Sequence, residues 1–381
     1  MLIRNANVFL EGRFVKTDVE FCRKVTYIGS AEGAEADSIN ADGLFLVPGL
    51  VDIHTHGAIG EDVGDGSVKG LERMSRFYAK GGVTSWCPTT MTVPEAELFS
   101  SIDAVNRFIR PSDGARLVGI NLEGPFLCYE KRGAQAAENL RLPDIRLFDE
   151  LFAAAEGKIK LVSVACEKNG AMEFIDSVSK KCRVSLGHSI ADYKTAMRAF
   201  ANGASHVTHI FNGMSPFAHR EPGIIGAAFD ANDGGQVFVE LICDGLHIHP
   251  SVVRACFRLF GKSTVLISDS LRCTGMPDGE YTLGGQPITM SSGRATLSGT
   301  QTFAGSSIHL MEAVRRAVSF GIPLEQAVYA ASTAPAESIG IAAGKIAVGE
   351  NADLVLLDGG MRIVEVFIDG CRLFNAGKNE V

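Results

Sequence analysis

Val47-Pro48-Gly49-Leu50-Val51-Asp52-Ile53-His54-Thr55-His56 is the stretch on which the fold of this 381-residue chain turns. Pro48-Gly49 punctuates, and the apolar run that follows reads as a buried strand. Side chains alternate along a strand, so His54 and His56 share one face. Two imidazoles side by side can clamp one metal ion, although the same pair also fits two histidines hydrogen-bonded in a core. A position at the end of a first barrel strand favours the metal.

Outward from this stretch, short apolar strands alternate with helical patterns. The candidate strands are Leu50–His56, Val83–Cys87, Leu117–Glu123, Leu161–Cys166, Val184–His188, His206–Ile210, Val237–Cys243 and Thr264–Asp269. Helical spacing fills segments between them, such as Gly70–Lys80, Tyr193–Ala201 and Ser251–Phe260. Eight such units predict an α/β fold, a (β/α)8 TIM-type barrel. Gly279 to Thr300 reads as an extra hairpin element after the eighth strand. Both ends of the chain are β-rich instead. Turn signals stand at Glu11-Gly12, Asp42-Gly43 and Asp369-Gly370 between apolar runs, and Asp42-Gly43 reads as a hairpin. The expectation is a small β-sandwich domain built from both termini, residues 1–47 plus 345–381, with the barrel over residues 48–344.

Composition narrows the function classes. No run of 18 or more apolar residues suggests a membrane span. Met1-Leu2-Ile3-Arg4-Asn5 reads as the start of a strand, not as a signal peptide. Nine cysteines, scattered and without a Cys-x-x-Cys pair, point to reduced thiols and a cytoplasmic setting. A net charge of −8 argues against a nucleic-acid partner. It leaves room for a small anionic ligand held by a local pair of cations.

The chemistry-bearing side chains fall at strand ends, where barrels place their active sites. Glu123 ends the third strand before Gly124-Pro125, as a salt-bridged turn residue or as a carboxylate that ligates or bridges metal ions. His188 and His209 end the fifth and sixth. Singly, each also fits a satisfied core histidine. With Glu123 they make a two-histidine, one-carboxylate set that leaves positions open for water and substrate. His206, three residues from His209, points to the opposite face and reads as structural. Asp269 ends the eighth strand, either as a turn cap or as a general base beside the metal, able also to ligate.

Taken together, these motifs resemble the N-acetylglucosamine-6-phosphate deacetylases of the amidohydrolase superfamily. The resemblance runs through Pro48-Gly49-Leu50-Val51-Asp52, Leu122-Glu123-Gly124-Pro125-Phe126, Gly187-His188-Ser189 and Thr208-His209-Ile210-Phe211-Asn212-Gly213-Met214. It continues through Arg220-Glu221-Pro222-Gly223, Asp244-Gly245-Leu246-His247, Ser268-Asp269-Ser270, Phe303-Ala304-Gly305-Ser306 and the tail from Gly344-Lys345-Ile346 to Ala352-Asp353-Leu354. It implies Glu123, His188 and His209 as ligands of the main metal and Asp269 as the catalytic acid/base. Arg220 and His247 are implied to hold a phosphate. Asn212, Gly213, Phe303, Ala304 and Gly305 are implied to seat the sugar. A homodimer with the phosphate site near the subunit interface is implied as well. Family members that lack the first-strand His-x-His use one metal. This chain keeps His54 and His56 and so resembles the two-metal members, with Glu123 as bridge. It departs at Lys131-Arg132-Gly133-Ala134-Gln135, where the family often has a histidine in place of Gln135 to polarise the acetyl carbonyl; a glutamine amide still donates, without the charge.

The expected substrate is therefore a phosphorylated N-acetyl amino sugar, and the expected cofactor one or two divalent ions per subunit, Zn²⁺ or Fe²⁺. Three rivals remain. N-acetylgalactosamine 6-phosphate differs at one ring carbon. A cyclic-amide hydrolase would generally carry a carboxylated lysine where Glu123 stands. A non-catalytic scaffold would have lost residues of the metal set, which is intact here.

Overall fold

The structure is a computed structural model that describes residues 1–31 and 38–375. Residues 32–37 and 376–381, assigned above to the terminal β domain, lie outside the described residues.

The barrel wall consists of parallel strands in chain order: Leu50–Thr55, Val83–Pro88, the pair Arg116–Leu117 and Ile120–Leu122, Ile159–Val164, Arg183–Leu186, His206–Val207, Phe238–Ile242 and Thr264–Ile267. Two sheet segments hold them. Single parallel bridges, Thr89 to Asn121 and Thr55 to Ser270, stitch the segments at both seams. The first strand thereby neighbours the eighth, and the catalytic domain is TIM-barrel-like, accompanied by a second, smaller domain.

Two strands differ from expectation. The third is broken at Val118-Gly119, where the chain changes partner: the Val118 N–H donates to Trp86 at 3.0 Å, while the Ile120 N–H donates to Lys158 at 2.9 Å. A side chain on Gly119 would collide with Lys160, which keeps the crossing point bare. Ladder pairing of the sixth strand stops at Val207, so His209 lies beyond it. The helices match more closely. Tyr193–Ala201 starts on Asp192, whose carboxylate accepts from the Thr195 N–H at 2.8 Å, and it buries Ala196 and Ala199 one turn apart.

Alternation along the first strand works as read. Val51 and Ile53 pack outward against Ala334, Ala336 and Ile339 of the last helix. Asp52 and His54 turn inward and are buried. The barrel interior is unusually polar: the Ser163 and Ser185 hydroxyls lie 2.8 and 2.6 Å from that of Thr208. Hydrogen-bonded polar side chains below the site form its floor.

The termini share one eight-stranded sheet with its own apolar cluster, including Ile3, Val8, Val19, Phe21, Leu46, Leu354 and Phe367. The two ends meet where Phe45–Pro48 pairs antiparallel with Leu354–Leu357. Glu11-Gly12 and Asp369-Gly370 make two-residue hairpin turns with positive φ at both positions, 50° and 87° in the first, 50° and 70° in the second. Asp42-Gly43 does not make the expected hairpin. Its flanking strands, Ser38–Asn40 and Phe45–Pro48, each pair in parallel with Leu2–Leu10. The turn is local chemistry, but the partner is a third strand that a short window does not reveal. Arg116, from the barrel, bridges Asp353 at 2.8 Å and Asp369 at 2.9 Å and so ties the sheet to the barrel. Three antiparallel strands, Gly279–Leu283, Gln286–Ser291 and Arg294–Leu297, form the element expected after the eighth barrel strand.

Candidate active site

Four histidines and two carboxylates converge at the C-terminal end of the barrel strands. Glu123 stands at the centre. Its Oε1 lies 2.9 Å from His209 Nε2, 3.2 Å from His188 Nε2 and 3.5 Å from His54 Nε2. Its Oε2 lies 3.3 Å from His56 Nε2. Asp269 Oδ1 closes the opposite side, 3.4 Å from His56 Nε2 and 3.6 Å from His54 Nε2. The donors form two groups, His54 with His56 and Asp269, and Glu123 with His188 and His209, each with its ligand atoms within 4.8 Å of one another.

The backbone delivers these side chains in an unusual conformation. His188, His209 and Asp269 all have positive φ, at 47°, 26° and 49°. Left-handed backbone is unfavourable for residues with a Cβ, and the strain is held by the surrounding hydrogen bonds. Gly124, at φ 89°, follows Glu123 where a Cβ would lie 2.2 Å from the Thr92 hydroxyl. Only glycine lets the chain leave so tightly after the central carboxylate.

Three of the four imidazoles have Nδ1 anchored. His56 Nδ1 donates to the Thr89 carbonyl at 3.2 Å, and His188 Nδ1 to the Lys131 carbonyl at 2.7 Å. His54 Nδ1 lies 2.8 Å from Glu240 Oε2. A proton on Nδ1 leaves the Nε2 lone pair directed at the centre, which is the tautomer a metal needs. Among the described residues His54 Nε2 and His209 Nδ1 have no hydrogen-bond partner.

Electrostatics agree with a cation-seeking site. Burial opposes ionisation of Glu123, yet in the metal-free site His54, His188 and His209, where their Nε2 atoms carry a proton in place of a metal, hold its carboxyl well below the usual range by charge and hydrogen bonding. Burial likewise opposes ionisation of Asp269, and His56 and His54, when protonated in the metal-free site, keep it low. Nitrogen and carboxylate donors aimed at one small volume fit a divalent ion.

The cavity over this centre is lined by His56, Glu123, Ala134, Gln135, His188, His209, Asn212, Gly213, His247, Asp269, Phe303, Ala304 and Gly305. His54 lies behind His56 and is fully buried. Arg220 is exposed and lies outside this lining. Gln135 has its amide engaged: Oε1 accepts from the Thr92 N–H at 2.7 Å, and Nε2 donates to Glu123 Oε2 at 2.7 Å. Within the lining, His247 packs on Phe303 with ring centroids 4.4 Å apart. Asp244 holds His247 at Nδ1 at 2.7 Å and accepts from the His247 N–H at 2.9 Å.

Two residues escaped the reading of strand ends. Glu240 stands in mid-strand and is fully buried. A carboxylate inside Val237-Phe238-Val239-Glu240-Leu241-Ile242-Cys243 was the available signal. Asp244 was visible only as part of a loop motif, not as the support of His247. His206, read as structural, is buried on the far side of Glu240 at 3.7 Å from its Oε1.

The model of the amidohydrolase family matches residues 45–373. The N-acetylglucosamine-6-phosphate deacetylase of Vibrio furnissii is 35% identical over 92% of this chain and 89% of that protein. The N-acetylgalactosamine-6-phosphate deacetylase of Escherichia coli is 34% identical over 90% of this chain and 91% of that protein. The N-acetyl-D-glucosamine-6-phosphate deacetylase of Mycobacterium smegmatis was solved as a mutant in complex with N-acetyl-D-glucosamine-6-phosphate. It superposes with a TM-score of 0.93 at 31% identity, covering 98% of this chain and 99% of that one. The chain belongs to the amidohydrolase family.

Proposed function

We propose that this protein hydrolyses the acetamide of N-acetyl-D-glucosamine 6-phosphate, releasing acetate and D-glucosamine 6-phosphate. The observation that carries this reading is the placing of Asp269 beside four converging imidazoles and Glu123 at a cavity that His247 also lines. The relatives that share most of the chain act on acetylated amino-sugar phosphates by name.

Glu123, His188 and His209 would hold the main ion, with His54 and His56 completing a second position that Glu123 bridges. Zn²⁺ or Fe²⁺ is the expected occupant, one or two per subunit. Such an ion, when bound, polarises the acetyl carbonyl and makes water a better nucleophile near neutral pH. Asp269 takes the proton of the attacking water and returns it to the leaving amine. Gln135, beside Ala134, can offer an N–H to the acetyl oxygen as its charge grows. Asn212, Gly213, Phe303, Ala304 and Gly305 seat the sugar. His247 and Arg220 hold the phosphate and so orient the acetyl group from the far end. Because Arg220 lies outside the cavity of its own chain, we place it at a phosphate site near the interface of a homodimer. We further assign residues 1–47 and 345–381 to a β-sandwich domain and residues 48–344 to the barrel. We place the protein in the cytoplasm, in keeping with its nine free thiols. Among the described residues no helix is long and apolar enough to cross a membrane.

The test is acetate release from the 6-phosphates of N-acetylglucosamine, N-acetylgalactosamine and N-acetylmannosamine, using protein reconstituted with each metal in turn. Release from the gluco substrate with the highest kcat/KM is expected. A metal-loaded protein that releases acetate from none of them overturns the proposal. The galacto reading, supported by the Escherichia coli relative, is the alternative if that epimer is preferred.

A further inference from the structure

Glu240 is a buried carboxylate with no route to the substrate. It sits in the middle of the seventh barrel strand, Phe238–Ile242, between the outward-packed Val239 and Leu241. One of its oxygens, Oε2, serves two donors: His54 Nδ1 at 2.8 Å and the His209 backbone N–H at 3.1 Å. Its own backbone carbonyl accepts from the Ile210 N–H at 2.8 Å. The strained backbone at His209, φ 26°, is thus gripped on both sides by one residue. His54 belongs to one metal-facing group and His209 to the other.

We propose that Glu240 is a positioning residue that holds His54 and His209, one from each metal-facing group, in register through a single carboxylate oxygen. The inference rests on the metal reading above. With Nδ1 of His54 bound to Glu240, its Nε2 lone pair faces Glu123 and Asp269. Without that acceptor the imidazole is free to change tautomer or turn. The same loss leaves the His209 N–H unpaired in the interior and releases the backbone that aims its ring. Removing His54 empties one group, whereas removing Glu240 disturbs both. An outer carboxylate of this kind also raises the basicity of the histidine it binds.

Glu240→Gln and Glu240→Leu separate orientation from charge. A glutamine oxygen in place of Oε2 accepts both donors but carries no charge; leucine accepts neither. Metal content and chelator competition are measured on purified wild type, both variants and His54→Ala. Circular dichroism and thermal unfolding of the metal-free forms report folding. The expected results are unchanged stoichiometry with about 10–100-fold weaker affinity in Glu240→Gln, and loss of metal from both groups in Glu240→Leu. His54→Ala should keep the ion on Glu123, His188 and His209. Wild-type affinity and stoichiometry in Glu240→Leu overturn the proposal. If that variant does not fold, Glu240→Ala, which also removes both acceptors, decides, and affinity within twofold of wild type overturns the proposal. Wild type that binds no metal sinks the metal reading as well; wild type that binds metal while the folded variant lacking both acceptors, Glu240→Leu or Glu240→Ala, is unaffected sinks the role of Glu240 alone.

Discussion

His188 and His209 present their Nε2 atoms to each other at 3.1 Å, and Glu123 Oε1 lies 3.2 and 2.9 Å from the same two atoms. Two imidazole lone pairs do not face each other at that distance unless a proton or a cation lies between them. Replacing either histidine, or Glu123→Gln, should therefore remove the main ion and reduce kcat/KM by more than the roughly 10–100-fold typical of losing an outer partner. His54→Ala should retain that ion and part of the activity. Metal analysis beside the acetate-release assay checks both. A His188→Ala protein with wild-type metal content would contradict the assignment.

Asp269 is at bonding distance from His56 and only slightly exposed, at 6%. Asp269→Asn preserves shape and removes the base. If the side chain moves the proton, kcat falls about 10²–10⁴-fold while KM changes little. Metal on the Glu123 group should remain. Retained metal with near-wild-type turnover would mean that another group is the base.

What the sequence revealed and what it hid divide along physical lines. His54 and His56 were legible as one face because strand periodicity is local, and Glu123, His188, His209 and Asp269 because barrels display chemistry at strand ends. The left-handed backbone that aims three of these residues was not legible, since no periodicity reports φ. Glu240 was hidden because its partners come from the first and sixth strands, a pairing that only the closed barrel creates. Asp42-Gly43 was correctly a turn and wrongly a hairpin for the same reason: the parallel partner, Leu2–Leu10, is remote in the chain.

Gln135 joins Thr92 to Glu123, accepting from one and donating to the other. Its amide nitrogen has two N–H donors, one on Glu123 and one toward Met91 Sδ at 3.6 Å, so orienting Glu123 and helping the acetyl oxygen are separable duties. The contact at 2.7 Å favours the first. Gln135→Leu should weaken metal affinity about 10–100-fold, as loss of an outer partner does, and lower kcat with it. Chelator competition distinguishes the duties. Unchanged affinity with a fall in kcat alone would assign Gln135 to the acetyl group.

His247 faces the cavity on a support built by Asp244, whereas Arg220 is exposed and away from it. Arg220→Ala should raise KM for the 6-phosphate substrate far more than for the unphosphorylated sugar. If Arg220 completes the site of a partner subunit, mixed dimers of Arg220→Ala and Asp269→Asn should regain activity at low substrate that neither parent shows there, because one site of each mixed dimer is intact. Equal KM effects on both sugars would remove the phosphate role, and mixtures no more active than the parents would remove the shared site.

His206 is fully buried against Glu240, and burial is the main reason its pKa is pushed down to about 4. In the unfolded chain an imidazole titrates near 6.5. Between these values the unfolded state binds the proton and the folded state does not. The contribution of His206 to stability is therefore complete above about pH 6.5 and is lost as pH falls toward 4. His206→Gln cannot titrate in this window. Urea unfolding of both metal-stripped proteins should show wild type losing about 2 kcal/mol relative to the variant between pH 7 and pH 5. Curves that stay parallel across that range would mean that His206 is already protonated in the fold, sharing its charge with Glu240.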